Sequence, residues 1–388
     1  MENNEKKDCK IAKRERCYEF AVEERSEFPD DRSWSNAERC LIYDVLRIIM
    51  KYLNIRDLKN AGYVSRVWQK AALDEEKARL WPDVFMIHLD EDPSKKDDTL
   101  HRKCINNLWI KPVMGLLFHN LNKTERIRWN CTSNHNDCIC KHLPHDCDTI
   151  IVNTYGVVCD ETEIEDTDDT RISCFFLPKV PNVEITSYSF SYSSENRERY
   201  KNKKDLQAFM NSPDAKCIIL LALPTSLSFI KNTLKSITRR YGLRRIPMCG
   251  GICPGLYLCK EFSRKKSCSA PLSWIAIRIS GADVDSWSVI IKHETTKKMI
   301  EEKLKIFRAN IKLRKYSVGL KFSCLLRGTR IFNHKDVESK LFRKVFPDVP
   351  LTGCFSGGEF GHVAIDKGFD FHHGYHEKST VFLILSYG

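Results

Sequence analysis

Seven cysteines and histidines lie within seventeen residues and have the chemistry to bind a soft metal ion. They are Cys131, His135, Cys138, Cys140, His142, His145 and Cys147. Structural zinc sites usually combine two closely spaced ligands with a second pair well separated from them. These spacings are irregular and short, so we predict no metal ion and no other cofactor. Zinc remains the alternative, and Cys147 is expected to be buried at the start of an apolar strand.

Cys324 and Arg327 lie at the end of an alternating apolar segment, YSVGLKFSCLLRG, and one interpretation of this pair is that Cys324 is a reactive thiol. A neighbouring guanidinium lowers the pKa of a thiol and makes it nucleophilic. The alternative is a small apolar side chain buried in the core, as free cysteines usually are. Catalysis would also need a base, and His372, His373 and His376 lie in no recognisable motif. We therefore predict no catalytic residue.

The glycine-rich segment GCFSGGEFG at 353–361 predicts a tight turn between two strands. Backbone N–H groups of such a turn can hold an anion, while Glu359 can accept hydrogen bonds from an amine. A small amino-acid-like ligand would satisfy both groups. The alternative is a structural turn in which Glu359 pairs with Arg327. The predicted substrate-binding or ligand-binding residues are Cys324, Arg327, Gly328, Gly357, Gly358 and Glu359.

Length and composition indicate a folded protein of more than one domain that holds these residues in place. A length of 388 residues predicts two or three domains at roughly 150 residues each. The content of 42% hydrophobic and 29% charged residues excludes wholesale disorder. The longest apolar run, Cys217–Leu223, ends at Pro224, well short of the ~20 residues that span a bilayer. The charged N-terminus lacks a secretory signal, so we expect no membrane, reduced cysteines and a cytosolic or nuclear location.

Charge is distributed unevenly along the chain. Sixteen lysines and arginines face four acids between residues 196 and 269, which accounts for the net charge of +12. No nucleic-acid signature accompanies this stretch, so it favours a solvated face or a docking surface for acidic protein segments. Seven of ten residues are acidic in DETEIEDTDD at 160–169. This run predicts a solvated, mobile loop.

Residues 34–80 have apolar positions at helical spacing. Leu41, Val45, Leu46, Ile49 and Leu53 lie on one face of a predicted amphipathic helix. Two further short helices are predicted after the N-cap candidates, Asn54 and Ser65. Three helices in under fifty residues cannot bury all these side chains among themselves, so some must face a partner.

The chain beyond residues 90–98 alternates between strand and helix patterns. Helical spacing occurs at 300–311 and 337–345, and apolar β-rich runs predict strands at Ile150–Val158, Ile172–Leu177, Val183–Tyr192, Cys217–Leu223, Leu272–Ile279, Trp287–Ile291, Tyr316–Leu326 and Val381–Leu385. This pattern predicts an α+β fold with mixed sheets after a helical N-terminal module.

The stretch IIMKYLNIRDLKNAGYVSRVWQKAA resembles an F-box, the helical module of ubiquitin-ligase receptors. Its matching positions include Asp57 and Ser65. One departure is Leu41-Ile42, where the family usually has Leu-Pro. The resemblance implies docking onto the S-phase-kinase-associated adaptor and a cullin scaffold, and the implied adaptor-binding residues are Leu41, Leu46, Ile49, Tyr52, Leu53, Leu58, Val64 and Trp68.

The C-terminal third resembles the FIST C-terminal domain. The resemblance rests on Cys324-Leu-Leu-Arg327-Gly328, on FRKVFPDVPLTGCFSGGEFG and on STVFLILSYG. The family's Gly-Glu-Ile-Gly corresponds here to Gly358-Glu359-Phe360-Gly361. The predicted domains are a flexible tail at 1–33, an F-box-like module at 34–80, a FIST N-terminal-like region at 100–265 and a FIST C-terminal-like domain at 270–388.

Together the two resemblances imply a non-catalytic substrate-recognition subunit of an SCF-type (cullin-RING) E3 ubiquitin ligase. Such a subunit binds protein clients and directs their polyubiquitination and proteasomal degradation. The alternative is a module that senses a small amino-acid-like ligand and has no ligase role.

Overall fold

The computed structural model describes residues 36–88, 108–120, 147–165, 171–191, 196–241, 246–259, 270–292, 294, 296–362 and 374–388. The predicted tail at 1–33 lies outside these ranges, as does the Cys/His cluster apart from Cys147. Within them, no helix combines the length and the hydropathy needed to cross a bilayer.

Three short helices form the N-terminal helical module: α1 (Asn36–Met50), α2 (Ile55–Ala61) and α3 (Arg66–Ala78). Both predicted N-caps are confirmed, because Asn54 Oδ1 accepts from the N–H of Asp57 and Ser65 Oγ accepts from the N–H of Trp68. The module has its own small core, made of Leu46, Met50, Leu58, Ala71 and Ala72.

The rest of the described chain is built mainly from strands. These are β1 (Asp83–His88), β2 (Pro112–Asn120), β3 (Asp148–Thr154), β4 (Gly156–Cys159), β5 (Thr162–Glu165), β6 (Arg171–Pro178), β7 (Val183–Ser191), β8 (Ala215–Ala222), β9 (Met248–Ile252), β10 (Gly255–Cys259), β11 (Ala270–Gly281), β12 (Val284–Ile291), β13 (Tyr316–Cys324), β14 (Leu351–Ser356), β15 (Glu359–His362), β16 (Tyr375–His376) and β17 (Thr380–Tyr387). The helices among them are α4 (Asn196–Met210), α5 (Leu227–Tyr241), α6 (Lys297–Ala309), α7 (Thr329–Phe332) and α8 (Val337–Val345).

The strands form two mixed sheets. The larger has eleven described strands in the order β1-β6-β2-β3-β10-β11-β8-β9-β15-β16, with β7 paired to β11. The smaller has six, in the order β12-β17-β13-β14-β4-β5. Three strand pairs are parallel: β2 with β3, β8 with β9, and β13 with β14. The α+β class predicted from the sequence is confirmed.

The two sheets pack face to face, and helices cover their outer faces. Residues of both sheets meet in one apolar core, for example Phe118 of the larger sheet and Phe322 of the smaller. On the outer face of the smaller sheet, α6 and α8 contribute Leu304 and Phe342 to a second core. On the larger sheet, α4 and α5 pack around Trp274. We call these two sheets with α4–α8 the sheet body.

The acidic run at 160–169 was expected to be a solvated loop, and for residues 162–165 that expectation is wrong. They form β5, which pairs with β4 at the edge of the smaller sheet. Glu163 is only 2% exposed, because a buried cation lies opposite it.

Strand pairing also crosses the predicted boundary between the FIST-like regions. β4 and β5 lie in the smaller sheet beside β14, while β11 and β15 lie in the larger sheet beside β8 and β9. The two predicted regions therefore share both sheets.

Candidate functional site

The helical module presents large apolar side chains to solvent. Val45 and Ile49 lie four residues apart, as do Ile48 and Tyr52, so these four side chains share one side of α1 and the turn after it. Tyr63 and Val64 lie in the turn before α3. Exposure of these six side chains ranges from 44% to 74%, which is typical of a protein-binding surface.

The predicted adaptor-binding residues divide between this surface and the interior of the module. Ile49, Tyr52 and Val64 are exposed. Leu46 and Leu58 are buried and hold the three helices together. Leu53 and Trp68 pack on that core while remaining partly exposed, and Leu41 lies in α1, with its side chain outside the described part.

The predicted ligand-binding residues lie where β13 and β14 end. These strands are parallel and place Cys324 beside Ser356 at their carboxyl ends. The turn Gly357–Gly358 then carries the chain from β14 in the smaller sheet to β15 in the larger sheet, so the flanking strands do not pair with each other as in a hairpin. Ends of parallel strands are common ligand-binding positions.

Backbone contacts fix this turn firmly. The N–H of Gly357 donates to the carbonyl of Ile252, and the N–H of Ile252 donates to the carbonyl of Gly358, both at 2.9 Å. Gly358 has a φ of +150°, and a Cβ there would lie 2.4 Å from Tyr375 Oη. Glycine is therefore required at position 358, and the N–H of Gly357, in the turn expected to hold an anion, is already bonded within the protein.

Glu359 is fully buried and bonded within the protein. Its carboxyl group accepts from Ser379 Oγ at 2.8 Å, from the N–H of Ser379 at 3.2 Å and from Ser356 Oγ at 3.2 Å. Burial raises the pKa of Glu359 to about 8, against the opposing effects of these hydrogen bonds and of Arg327. The carboxyl group is therefore mostly protonated at pH 7 and able to donate a hydrogen bond.

Arg327 does not pair with Glu359, so the pairing proposed as the structural alternative is wrong. Its Nε and Nη2 bind Glu338 Oε1 at 2.9 Å and 2.7 Å, and Nη2 also donates to the carbonyl of Glu294. The side chain is 1% exposed. The guanidinium group thus donates its hydrogen bonds to groups inside the protein.

Arg327 belongs to a buried ion cluster, which we define as Glu163, Lys321, Arg327 and Glu338. Lys321 Nζ lies 2.6 Å from Glu163 Oε1 and 3.3 Å from Glu338 Oε2. Burial alone would raise the pKa of Glu338, but Lys321 and Arg327 outweigh it and hold that pKa below its usual value. Two carboxylates therefore balance two cations beneath α8.

Gly328 and Thr329 contact the neighbouring strand β5. Glu165 accepts from the N–H and from Oγ1 of Thr329, both at 2.7 Å, and so caps the start of α7. A Cβ on Gly328 would lie 2.3 Å from the Glu165 carboxyl carbon. Gly328 is thus needed for this close approach.

The two cysteines with proposed chemistry are buried. Burial raises the pKa of Cys324, and the nearby Glu359 raises it further, so the thiol lacks the lowered pKa of a nucleophile. Cys147 is buried at the start of β3, as predicted, with its Sγ 3.8 Å from the carbonyl of Asp148. In the described part of the chain, no group of three or more His, Cys, Asp or Glu residues is placed to hold a metal ion.

Sequence reasoning missed Glu163, Glu338 and Ser379 at this site. Glu163 sits in the alternating pattern Thr-Glu-Ile-Glu, which is a strand signal hidden by the surrounding acids. Glu338 lies in the first turn of α8, where an acid is ordinary. Its partners lie eleven or more residues away along the chain, so no local pattern marks it.

Comparison with known protein families finds a match to the FIST C domain. Residues 276–362 match that domain, which confirms this part of the resemblance inferred from the sequence. The match includes β12–β15 and therefore contains Cys324, Arg327, Gly328 and the turn before Glu359.

Two similar curated proteins are F-box only protein 22 of Pongo abelii and F-box only protein 22 of Homo sapiens. Each is 23% identical to this chain over 195 residues, which is 50% of this chain and 48% of the relative. The match thus spans about half the length of the curated relatives. A cyanuric acid hydrolase from A. caulinodans is similar over 79% of this chain and 99% of its own, with 7% identity and a TM-score of 0.35, too low to support any argument about chemistry.

Proposed function

We propose that this protein is a non-catalytic substrate-recognition subunit of an SCF-type ubiquitin ligase. The helical module would bind the S-phase-kinase-associated adaptor, which joins it to the cullin scaffold, and the sheet body would bind protein clients. Holding a client near a ubiquitin-loaded enzyme raises the effective concentration of its lysines. The outcome would be polyubiquitination of the client and its degradation by the proteasome, in the cytosol or the nucleus.

The observation that carries this proposal is the exposed apolar surface of the helical module. Leu46, Met50 and Leu58 fill the module's core, yet Ile49, Tyr52 and Val64 remain in solvent. Burying such side chains at an interface provides most of the affinity of a docking module. The similarity to F-box only protein 22 supports the same role.

Adaptor binding tests the proposal directly. We expect the full chain to capture purified adaptor, and the double variant Ile49→Ser, Val64→Ser to bind about 100-fold more weakly, since each lost contact removes between 1 and 2 kcal/mol. The measurement is a titration calorimetry Kd with the purified proteins.

A matched control is available on α6. Met299 and Ile306 are 44% and 63% exposed, close to the 44% and 64% of Ile49 and Val64. The double variant Met299→Ser, Ile306→Ser should bind the adaptor as the wild type does. Failure of the wild type to bind, or equal binding by both double variants, would contradict the proposal.

Ligand sensing is the second candidate function, and the neutral carboxyl group of Glu359 favours it. Glu359 is itself fully buried near Cys324, below a turn whose Gly357 is exposed. An amino-acid-like ligand that entered beneath this turn would meet its protonated carboxyl group as a hydrogen-bond donor. A thermal-shift screen with the twenty amino acids tests it, because a ligand at 100 times its Kd stabilises a protein by about 2.7 kcal/mol. Glu359→Gln should abolish any shift, and silence across the whole screen would exclude this candidate.

A further inference from the structure

Arg79, at the end of α3, connects three separate elements through one side chain. Its Nη2 donates to the carbonyl of Met50 at 2.5 Å, its Nη1 donates to the carbonyl of Trp109 at 2.8 Å and its Nε donates to Glu75 at 3.1 Å. Met50 is the last residue of α1, and its carbonyl also accepts from the N–H of Leu53 at 3.2 Å, in the turn that follows the helix. The guanidinium stacks on the Trp109 ring at 5.5 Å and is only 8% exposed.

The segment just before β2 is held to the helical module at a second point. The N–H of Ile55, at the start of α2, donates to the carbonyl of Leu108 at 2.7 Å. The Ile55 side chain packs on a core cluster of the larger sheet that includes Ile87 and Ile110. The module and the sheet are therefore joined by both polar and apolar contacts.

Asp83, the first residue of β1, completes this junction from the side of the sheet. Its Oδ2 accepts from the N–H of Trp109 at 2.9 Å and from the N–H of Ile110 at 3.2 Å. The carbonyl and the N–H of Trp109 are thus bound by residues on either side of the short link 80–82. Rotation of the module about that link would break the hydrogen bonds from Arg79 to Trp109 and from Ile55 to Leu108, whereas Asp83 holds Trp109 and Ile110 to the sheet.

We propose that Arg79 is a positioning residue that fixes the orientation of the helical module on the sheet body. Its planar fork binds two carbonyls from different elements at once, which a single-point donor cannot do. Without it, the hydrogen bonds to Met50 and Trp109 are lost, and the polar contacts that still join the module to the sheet body include the hydrogen bond from Ile55 to Leu108 and the ion pair of Glu76 with Lys111 at 3.6 Å. In a ligase, a fixed module would present the lysines of the sheet body, and of anything bound to it, at a constant distance from the adaptor.

The orientation is measurable independently of any ligase role, by a distance between two spin labels on the full chain. Genetically encoded labels would replace Leu73 on α3 and Ile306 on α6, both exposed, because the seventeen native cysteines preclude thiol labelling. We expect one narrow distance distribution for the wild type and a distribution at least about twofold wider for Arg79→Gln. A broad wild-type distribution, or an equally narrow one in the variant, would overturn the proposal.

Two further variants separate positioning from folding. Lys77→Gln removes one charge from the same helix at an exposed position without junction contacts and should leave the distribution unchanged. Arg79→Lys keeps the charge but loses the fork, and its width should fall between those of wild type and Arg79→Gln. Should Arg79→Gln fail to unfold cooperatively, Arg79→Lys becomes the deciding variant, and a wild-type width for it overturns the proposal.

The consequence for ubiquitin transfer rests on the proposed function and has its own readout. In a reconstituted ligase, self-modification of the wild type should be confined to a subset of exposed sheet-body lysines such as Lys305, Lys340 and Lys344, and mass spectrometry should find additional sites in Arg79→Gln. Failure of the wild type to bind the adaptor would contradict the ligase role, whereas the distance distributions would still decide the role of Arg79.

Discussion

At the scale of the residue, Glu359 has the most unusual chemistry of the predicted site. It was singled out because its type and its glycine neighbours suited a ligand, and the structure places it in the interior among hydroxyl groups. A buried acid of this kind is neutral below its raised pKa of about 8. Above that pH it carries a buried negative charge, which destabilises the folded state. Its protonation therefore links stability to pH in the physiological range.

Replacing Glu359 with glutamine should remove this linkage. Between the unfolded pKa of 4.5 and the folded pKa of about 8, the unfolded state releases the proton while the folded state keeps it. The wild type therefore loses stability as pH rises through that window. We expect a loss on the order of 2–3 kcal/mol between pH 6 and pH 8 beyond that of Glu359→Gln, measured by urea unfolding, and parallel pH profiles of the two proteins would refute this linkage.

At the scale of the element, β5 stabilises two helices that follow it by more than 160 residues in the chain. Glu165 caps α7, and Glu163 accepts from the N–H of Ser339 in the first turn of α8 at 2.7 Å. Glu163 also neutralises Lys321, which is fully buried in the middle of β13. One short strand thus provides both helix caps and a counter-ion.

Glu163→Gln should destabilise the protein by about 3 kcal/mol, because it leaves the buried ion cluster with one uncompensated cation. Adding Lys321→Met should recover most of this loss, since Glu338 and Arg327 then remain as a balanced pair. Denaturant unfolding of the single and double variants measures both effects.

The control for this pair of variants is Glu161→Gln, the same chemical change on the same hairpin. Glu161 is 56% exposed and lies 3.8 Å from Arg343, so its removal should change stability by less than about 0.5 kcal/mol. Equal losses from the Glu161 and Glu163 variants, or no recovery in the double variant, would show that the cluster contributes nothing specific.

The strands that could be predicted from sequence are those whose signal is local. All eight predicted apolar runs overlap observed strands, and α8 coincides with the predicted helical repeat at 337–345. β5 could not be predicted, because its burial depends on Lys321, which lies 158 residues away. The predicted pairing of Arg327 with Glu359 is wrong for the same reason. Which acid neutralises a buried cation depends on the tertiary structure, and here that acid is Glu338.

At the scale of the whole molecule, the FIST C domain match at 276–362 does not correspond to a separate packing unit. β14 pairs with β4, and β11 pairs with β7 and β8, all from the part of the chain that precedes residue 223. Trp274 of β11 stacks on Phe190 and Phe229 with ring centroids about 6 Å apart. Each half therefore completes the core of the other.

We expect that a fragment of residues 270–388 will not fold alone. It lacks β4 and β5, so Lys321 and Arg327 would share only Glu338, and it lacks the rings that bury Trp274. Its tryptophan emission should be shifted to the red and its urea transition should lose cooperativity. Refolding it together with a fragment of residues 1–265 should restore the tryptophan emission and the urea unfolding transition of the intact chain. A fragment that unfolds cooperatively by itself, with emission as blue as that of the intact chain, would show that the shared strands are dispensable and that the C-terminal domain folds independently.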